Sequence, residues 1–341
     1  DMETLKEPIC GDGARAMCLK GEKPIYRGLR NAFNAAQASW RSFSETPESL
    51  LDRELGAANA AAWAALSEQC ETCLTQTSKD LEILTWFVAA QLHGARPLQK
   101  CAEALTLLTD LVDENITDLQ PVPPPEKLKG DTDDARAAEI AELRLRPFVQ
   151  LVGEVEGSGL LAAPMNALRL IGDVTYGTYI LAEKNGTLDA LRAEASAALD
   201  SESEELTQKI ESLQEITRQF ERLETKLKQY AGQHGQTPPL IGYGCRLATD
   251  VLASVKRLVE GFGFPWPGVD DAEAEAEAEI ETITEQDGDL QRAAPQAARG
   301  ATAGIGFDPT ANVTNRKDAL LAIARLATYF RATEPPSPVC L

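Results

Sequence analysis

Histidine is the first place to look for chemistry, and the chain has only two, His93 and His234, far apart. A Ser-His or Cys-His centre, or a histidine-ligated metal, would have to use one of them. Such a site needs partners within hydrogen-bond reach. Both histidines fall near the ends of predicted helices and read as ordinary helix-end residues. Cys70-Glu71-Thr72-Cys73 has the C-x-x-C spelling. A zinc site usually needs a second pair of cysteines or histidines, and none lies at a suitable spacing. A redox pair would sit on a strand-to-helix turn, whereas these cysteines lie inside an alanine-rich helical pattern. An i, i+3 pair on one apolar helix face is the reading adopted. Gly11-Asp12-Gly13 and Gly242-Tyr243-Gly244 are too short for phosphate loops, and neither nucleotide-binding glycine motif occurs. Carboxylate pairs are abundant, as they must be with 53 acidic residues. Abundance does not make acid-base catalysis. Glu142-Leu143-Arg144-Leu145-Arg146 lacks interleaved aromatics and reads as a solvated helix face. No catalytic, cofactor-binding or metal-binding residue is assigned.

Elements must carry whatever function remains. A hydrophobic fraction of 43% and a charged fraction of 25% are those of a folded globular protein. The formal charge of -20 argues against binding nucleic acid and against attachment to an anionic membrane. It suits basic protein partners. Seven cysteines at irregular spacing call for no disulfide framework, so reduced thiols in the cytoplasm are expected. No apolar run of 18 residues exists, and Asp1-Met2-Glu3-Thr4 is no signal peptide. The end at Pro338-Val339-Cys340-Leu341 reads as a cut, with any membrane anchor or assembly domain lying beyond it.

Periodicity predicts a mainly α fold. Residues 1–23 read as irregular. Pro24 opens a helix with Ile25, Leu29, Ala32, Phe33, Ala36 and Trp40 on one stripe. A second helix covers about 59–76, with Trp63, Leu66, Cys70, Cys73 and Leu74 inward. A third starts near Ser78, which can cap it, with Asp80 and Glu82 in its first turn and a stop near Gly94. Its apolar face is Leu81, Leu84, Val88 and Leu92, widened by Trp86 and Phe87. A fourth runs from Pro97 to Asn115 and is followed by the break at Pro121–Pro125. Another covers 133–155, with Pro147 as a kink or division. Over 159–180, short strands at 168–171 and 174–176 compete with a helix through Tyr176, Tyr179 and Ile180. Helices over 188–199, 204–230 and 240–262 complete a domain at 1–265. The 204–230 helix has a near-heptad stripe, read as core in preference to a coiled-coil seam. Asp270–Asp289 holds about ten acidic residues and no basic ones, and 266–311 reads as an acidic, then Ala/Gly-rich flexible linker. Residues 312–341 read as the start of a second helical domain.

Several of these segments share a family likeness. Pro24-Ile-Tyr-Arg-Gly-Leu-Arg-Asn31, Trp63 and Ser78-Lys79-Asp80-Leu81-Glu82-Ile83-Leu84-Thr85-Trp86-Phe87 resemble the N-terminal domain of the ImpA/TssA family of type VI secretion. In that family a tryptophan helix precedes an S-K-D-L-E segment, and a helix-rich stretch then ends in a proline-containing turn. Leu119-Gln-Pro-Val-Pro-Pro124 resembles that turn, although the tryptophan usual before it is replaced in Asn115-Ile116-Thr117. Asn315-Arg316-Lys317-Asp318 and Tyr329-Phe330-Arg331-Ala-Thr-Glu334-Pro335-Pro336 resemble the start of the family's middle domain, with Pro336 where histidine is common.

The resemblance implies a non-enzymatic component that contacts baseplate, sheath or tube proteins and assists or caps the contractile tail. TssA and TagA are the branches it points to. It implies a homo-oligomer assembled through parts beyond Leu341, in the bacterial cytoplasm, with membrane association left to that further region. Its candidate interaction or structural residues are Trp63, Ser78, Lys79, Asp80, Glu82, Trp86, Arg316, Arg331 and Glu334. Two alternatives stay open: a generic coiled-coil adaptor working through 204–230, and a helical ligand binder or enzyme with a pocket around Tyr176 and Tyr179.

Overall fold

The computed structural model describes residues 2–9, 18–19, 23–46 and 48–268. Arg316, Arg331, Glu334, the segment 312–341 and all but the first three residues of 266–311 lie outside the described residues.

Ten α-helices and one two-stranded hairpin make up the described fold. They run α1 (Met2–Lys6), α2 (Lys23–Phe43), α3 (Arg53–Gln76), α4 (Leu81–Gln91), α5 (Pro97–Asn115), α6 (Asp133–Val152) and α7 (Ala162–Asn166). The hairpin β1 (Arg169–Ile171) and β2 (Val174–Thr175) follows, then α8 (Tyr176–Asn185), α9 (Leu188–Gln233) and α10 (Gly242–Val259). The fold is mainly α, as the periodicity predicts.

Local chemistry explains most boundaries. Asp52 accepts from the amides of Glu54 (2.8 Å) and Leu55 (3.1 Å), so α3 starts at Arg53, six residues before the expected start at 59. Pro97 occupies the first turn of α5, where its missing N–H costs nothing. Thr132 caps α6, and Gly153, at φ +102°, ends it three residues earlier than expected. Pro147 lies within α6 without dividing it. α4 ends at Gln91, ahead of Gly94, and α10 is shorter at both ends than the expected 240–262. Residues 1–23 are not wholly irregular: α1 inserts Leu5 into the core, and Ile9 and Leu19 are buried.

The ambiguous stretch resolves into both alternatives in succession. β1 and β2 pair antiparallel, Arg169 opposite Thr175 and Ile171 opposite Val174. α8 then begins at once behind a capping box, in which Thr175 and Thr178 each accept the other's amide. α9 holds the hairpin in place. Lys209 donates to the Leu170 carbonyl (3.0 Å), and Glu202 and Glu194 accept from the amides of Gly172 and Asp173 (3.0 Å each).

Two expected helices, 188–199 and 204–230, are one 46-residue helix. The polar run Asp200-Ser201-Glu202-Ser203 contains no proline or glycine, so nothing in it forces a break. Leu206, Ile210, Leu213, Ile216, Phe220, Leu223, Leu227 and Tyr230 are all buried within this single chain, mainly against α5 and α10. The near-heptad stripe is therefore core, and a coiled-coil seam has no free apolar face there. On α2, Leu29, Phe33 and Ala36 are buried, but Ile25 is not: it is 40% exposed.

Gly244 marks the closest contact of α10 with α9. A Cβ there would fall 2.7 Å from the Phe220 ring. Alanine normally favours a helix over glycine by about 1 kcal/mol, but both the ring and the helix backbone are confined. We expect Gly244→Ala to lower stability by about 1–3 kcal/mol, read as a lower urea midpoint. A raised midpoint would show that Phe220 moves aside freely.

Candidate functional site

Among the described residues, those singled out by motif, Trp63, Ser78, Lys79, Asp80, Glu82 and Trp86, lie in one region, where α2, α3, α4 and α6 meet. Trp86 has no exposed surface; it stacks on Phe33 (centroids 4.3 Å, planes 9° apart), and its Nε1 donates to Gln150 Oε1 at 3.1 Å. Phe33 meets Trp63 edge-on at 6.5 Å. Trp63 stacks on His93 (4.0 Å, 5°), and His93 meets Trp40 edge-on at 4.9 Å. An aromatic column thus runs from the centre of the core to the half-buried Trp40. Each such pair adds about 0.5–1.5 kcal/mol beyond area burial.

Ser78-Lys79-Asp80-Leu81-Glu82 straps this column to the proline turn. Asp80, not Ser78, is the N-cap of α4; its side chain accepts from the Glu82 amide at 2.8 Å. Ser78 is fully buried and its hydroxyl has no partner, so it caps nothing. Lys79 is buried, and its ammonium donates to the Leu5 carbonyl, tying α1 to the strap. Burial lowers its pKa, partly offset by Glu7. The strap bonds residue to residue with the turn: Gln120 N donates to Lys79 O and Leu81 N to Gln120 O, both at 3.0 Å. The Gln120-Pro121 peptide is cis, and Gln120 Oε1 accepts from Val122 N at 2.7 Å. Of the five, Glu82 reaches the surface, taking the Tyr26 hydroxyl at 3.1 Å and Arg30 at 3.7 Å.

Arg144 locks the other side of the turn, and it overturns the reading of 142–146 as a solvated face. Arg144 is buried. Its guanidinium donates to Leu119 O (3.0 Å), Thr117 O (2.6 Å) and Tyr230 Oη (3.1 Å), joining the turn to α6 and α9. Its place among Ala141, Leu145, Phe148 and Leu151, at spacings of three and four, was a legible signal that it lies on the apolar stripe. Gln120 and Gln150 carried no such signal.

Beside the column lies a cleft of about 580 Å³, lined by Trp40, Trp63, His93, Gln150, Val155 and Leu160 among others. Asn59 Nδ2 approaches His93 Nδ1 at 3.4 Å. Burial pushes the imidazole down to about 3. A neutral ring with no carboxylate partner is a poor acid-base group near neutral pH. Cys70, Cys73 and Cys101 are buried on the facing helices, and burial raises all three thiols, Cys73 and Cys101 to about 12. Their thiolates are correspondingly unavailable. A wider groove of about 1020 Å³ between α1, α5 and α9 is lined by ion-paired side chains, including Lys6, Lys100 and Glu103. Among the described residues no group of three or more His, Cys, Asp or Glu side chains could hold a metal, and no helix is long and apolar enough to cross a membrane.

The comparisons with known proteins agree with the motif region. Residues 6–153 match the family model described as ImpA, N-terminal, type VI secretion system. No curated protein and no solved structure matches the chain.

Two outcomes follow from this geometry. Arg144→Met leaves the buried Leu119 carbonyl, the part-buried Thr117 carbonyl and a phenol without their donor, so it should cost about 3 kcal/mol; Arg144→Lys should recover less than half, because an ammonium does not span a three-way fork. Urea denaturation of both variants checks this. For His93, the unfolded imidazole takes up a proton below its ordinary value of 6.5, while the folded one stays neutral down to about 3. The stabilisation from burying it neutral is present above pH 6.5 and is lost as pH falls. Between pH 6.5 and 5 the loss is about 1.5 kcal/mol. His93→Phe keeps a stacking ring and should be flatter in stability over that window by this amount. An unchanged slope would show that His93 protonates freely in the folded state.

Proposed function

From the premise that this chain carries the ImpA N-terminal domain of type VI secretion over residues 6–153, we propose that it is a non-enzymatic scaffold of that machine in the bacterial cytoplasm. In this reading it assists assembly, or caps growth, of the contractile tail by holding baseplate, sheath or tube subunits. The family match is the observation that carries the proposal. The geometry supports it in a particular way. The motif residues that could do chemistry are consumed in building a rigid helical body: Asp80 in a cap, Lys79 and Arg144 in buried tethers, Trp63 and Trp86 in stacking, Cys70 and Cys73 in packing. A rigid body with an acidic surface suits the docking of basic partners. The pocket near Tyr176 holds about 220 Å³, below the roughly 300–1,000 Å³ of small-molecule sites, which weighs against the ligand-binding or enzyme alternative.

The test is crosslinking of the full-length protein in cells that hold an assembled secretion tail, followed by affinity recovery and mass spectrometry. We expect sheath, tube or baseplate subunits among the crosslinked proteins, and their identity reports which end of the tail is occupied. Recovery of none, with the machine intact, would overturn the scaffold assignment.

A further inference from the structure

A small pocket lies at the C-terminal end of α6 and draws mostly on elements outside the motif region. The loop after α6 supplies Glu156, α8 supplies Tyr176 and Ile180, and α10 supplies Tyr243, Leu247 and Asp250. Its volume is about 220 Å³. That is several times the roughly 30 Å³ of one water, and it is the scale of one long side chain.

Three features define its preference. Tyr176 lines the pocket and is only 7% exposed as a residue, but its hydroxyl keeps contact with solvent and has no protein hydrogen-bond partner among the described residues. Glu156 is paired with Arg246 at 3.3 Å, and Arg246 lies over the Tyr243 ring at 5.9 Å. Asp250 is exposed, lines the pocket, and has no ion pair or side-chain hydrogen bond among the described residues. Two carboxylates, one cation and a tyrosine hydroxyl therefore line the pocket, and among the described residues Arg246 is ion-paired with Glu156 alone. Desolvation, and then repulsion from Glu156, raise Asp250 above the ordinary carboxylate value, with Arg246 offsetting part of the rise. A second cation would relieve that repulsion. The remaining wall includes the apolar Ile180, which is 41% exposed, and Leu247.

We propose that this pocket receives a lysine side chain of a protein partner, its ammonium meeting Asp250 and the Tyr176 hydroxyl and its methylene stem lying along Ile180, Leu247 and Tyr243. Charge selects the sign of the occupant. The chain carries a net charge of -20, and the pocket adds an unpaired carboxylate. Depth selects a flexible stem bearing a compact charge; a planar guanidinium is best held by a bidentate carboxylate. A hard divalent cation would want six or more oxygen ligands, more than two carboxylates and a phenol supply. The proposal deepens the scaffold reading by naming the chemistry of one partner contact, and it rests on that reading for the partner's being a protein.

The experiment is NMR of the 341-residue chain with its isoleucine methyl groups labelled, titrated with Nα-acetyl-lysine methylamide. The norleucine analogue, of the same stem without the ammonium, is the control. We expect a saturable shift of the Ile180 methyl with the lysine probe and binding of norleucine about tenfold weaker. Asp250→Asn and Tyr176→Phe should each weaken lysine binding several-fold, with the other methyl signals unmoved as the check on folding. Equal shifts with norleucine, stronger binding of the arginine analogue, a response to calcium chloride at lower concentration, or no shift at all would each overturn the assignment. The readout does not involve the secretion machine. Lysine binding without recovery of secretion subunits would remove the scaffold reading and keep the pocket; the reverse result would remove the pocket and keep the scaffold.

Discussion

From Ile83 to Ala90 every residue of α4 is buried. A helix with no solvent face cannot leave the polar groups at its ends to water, so its terminal amides must find protein partners. The rest of the motif region follows from that constraint. Asp80 takes one amide, Gln120 takes another through its carbonyl, and Arg144 anchors the backbone carbonyls of the turn that carries Gln120. Lys79, drawn inside with the strap, is satisfied by the carbonyl of Leu5. The Ser-Lys-Asp-Leu-Glu segment and the proline turn, separated by about 40 residues in sequence, are two halves of one device that seats a buried helix.

This arrangement has a consequence for function. Polar side chains committed to seating α4 are not available to partners, and the aromatic side chains beside them are committed to the column from Trp86 to Trp40. Clefts and exposed apolar residues such as Val155 and Leu181 lie at the margin of the helical body. α9 keeps these margins in fixed relation. Its 46 residues pack against α5, α6, α8, α10 and both strands, and Arg222 and Lys226 tie it to Asp110 and Asp113 of α5. A pocket formed from α8 and α10 and a strap formed at α4 thus belong to one packed core.

Much of this was legible in the residue order. The spacing of Leu98, Cys101, Leu105, Leu108 and Val112, with Pro97 before them, placed α5 at its observed bounds. The inward set on α3 and the core assignment of the α9 stripe followed from the same periodicity. Of the short motifs that carried the family likeness, those among the described residues meet: Glu82 takes Tyr26, and the strap at 78–82 pairs with the turn at Gln120. Boundaries were less legible where two capping candidates stood two residues apart: Ser78 and Asp80 both have the right chemistry, and the pairing with Gln120 decides between them. The join at 200–203 was not legible, because the apolar stripe lapses there while the helix continues.

The sequence by itself determined the helical class, the apolar stripes and the likeness to a secretion domain, because helical period and short motifs are local properties. Only the tertiary structure decided that Arg144 and Lys79 lie inside, that His93 is held neutral between Trp63 and Trp40, and that Tyr176 and Asp250 line one pocket. Periodicity places a residue around its own helix. Whether a charge there is solvated or buried depends on acceptors contributed by segments distant in sequence, and those are set by which helices pack together.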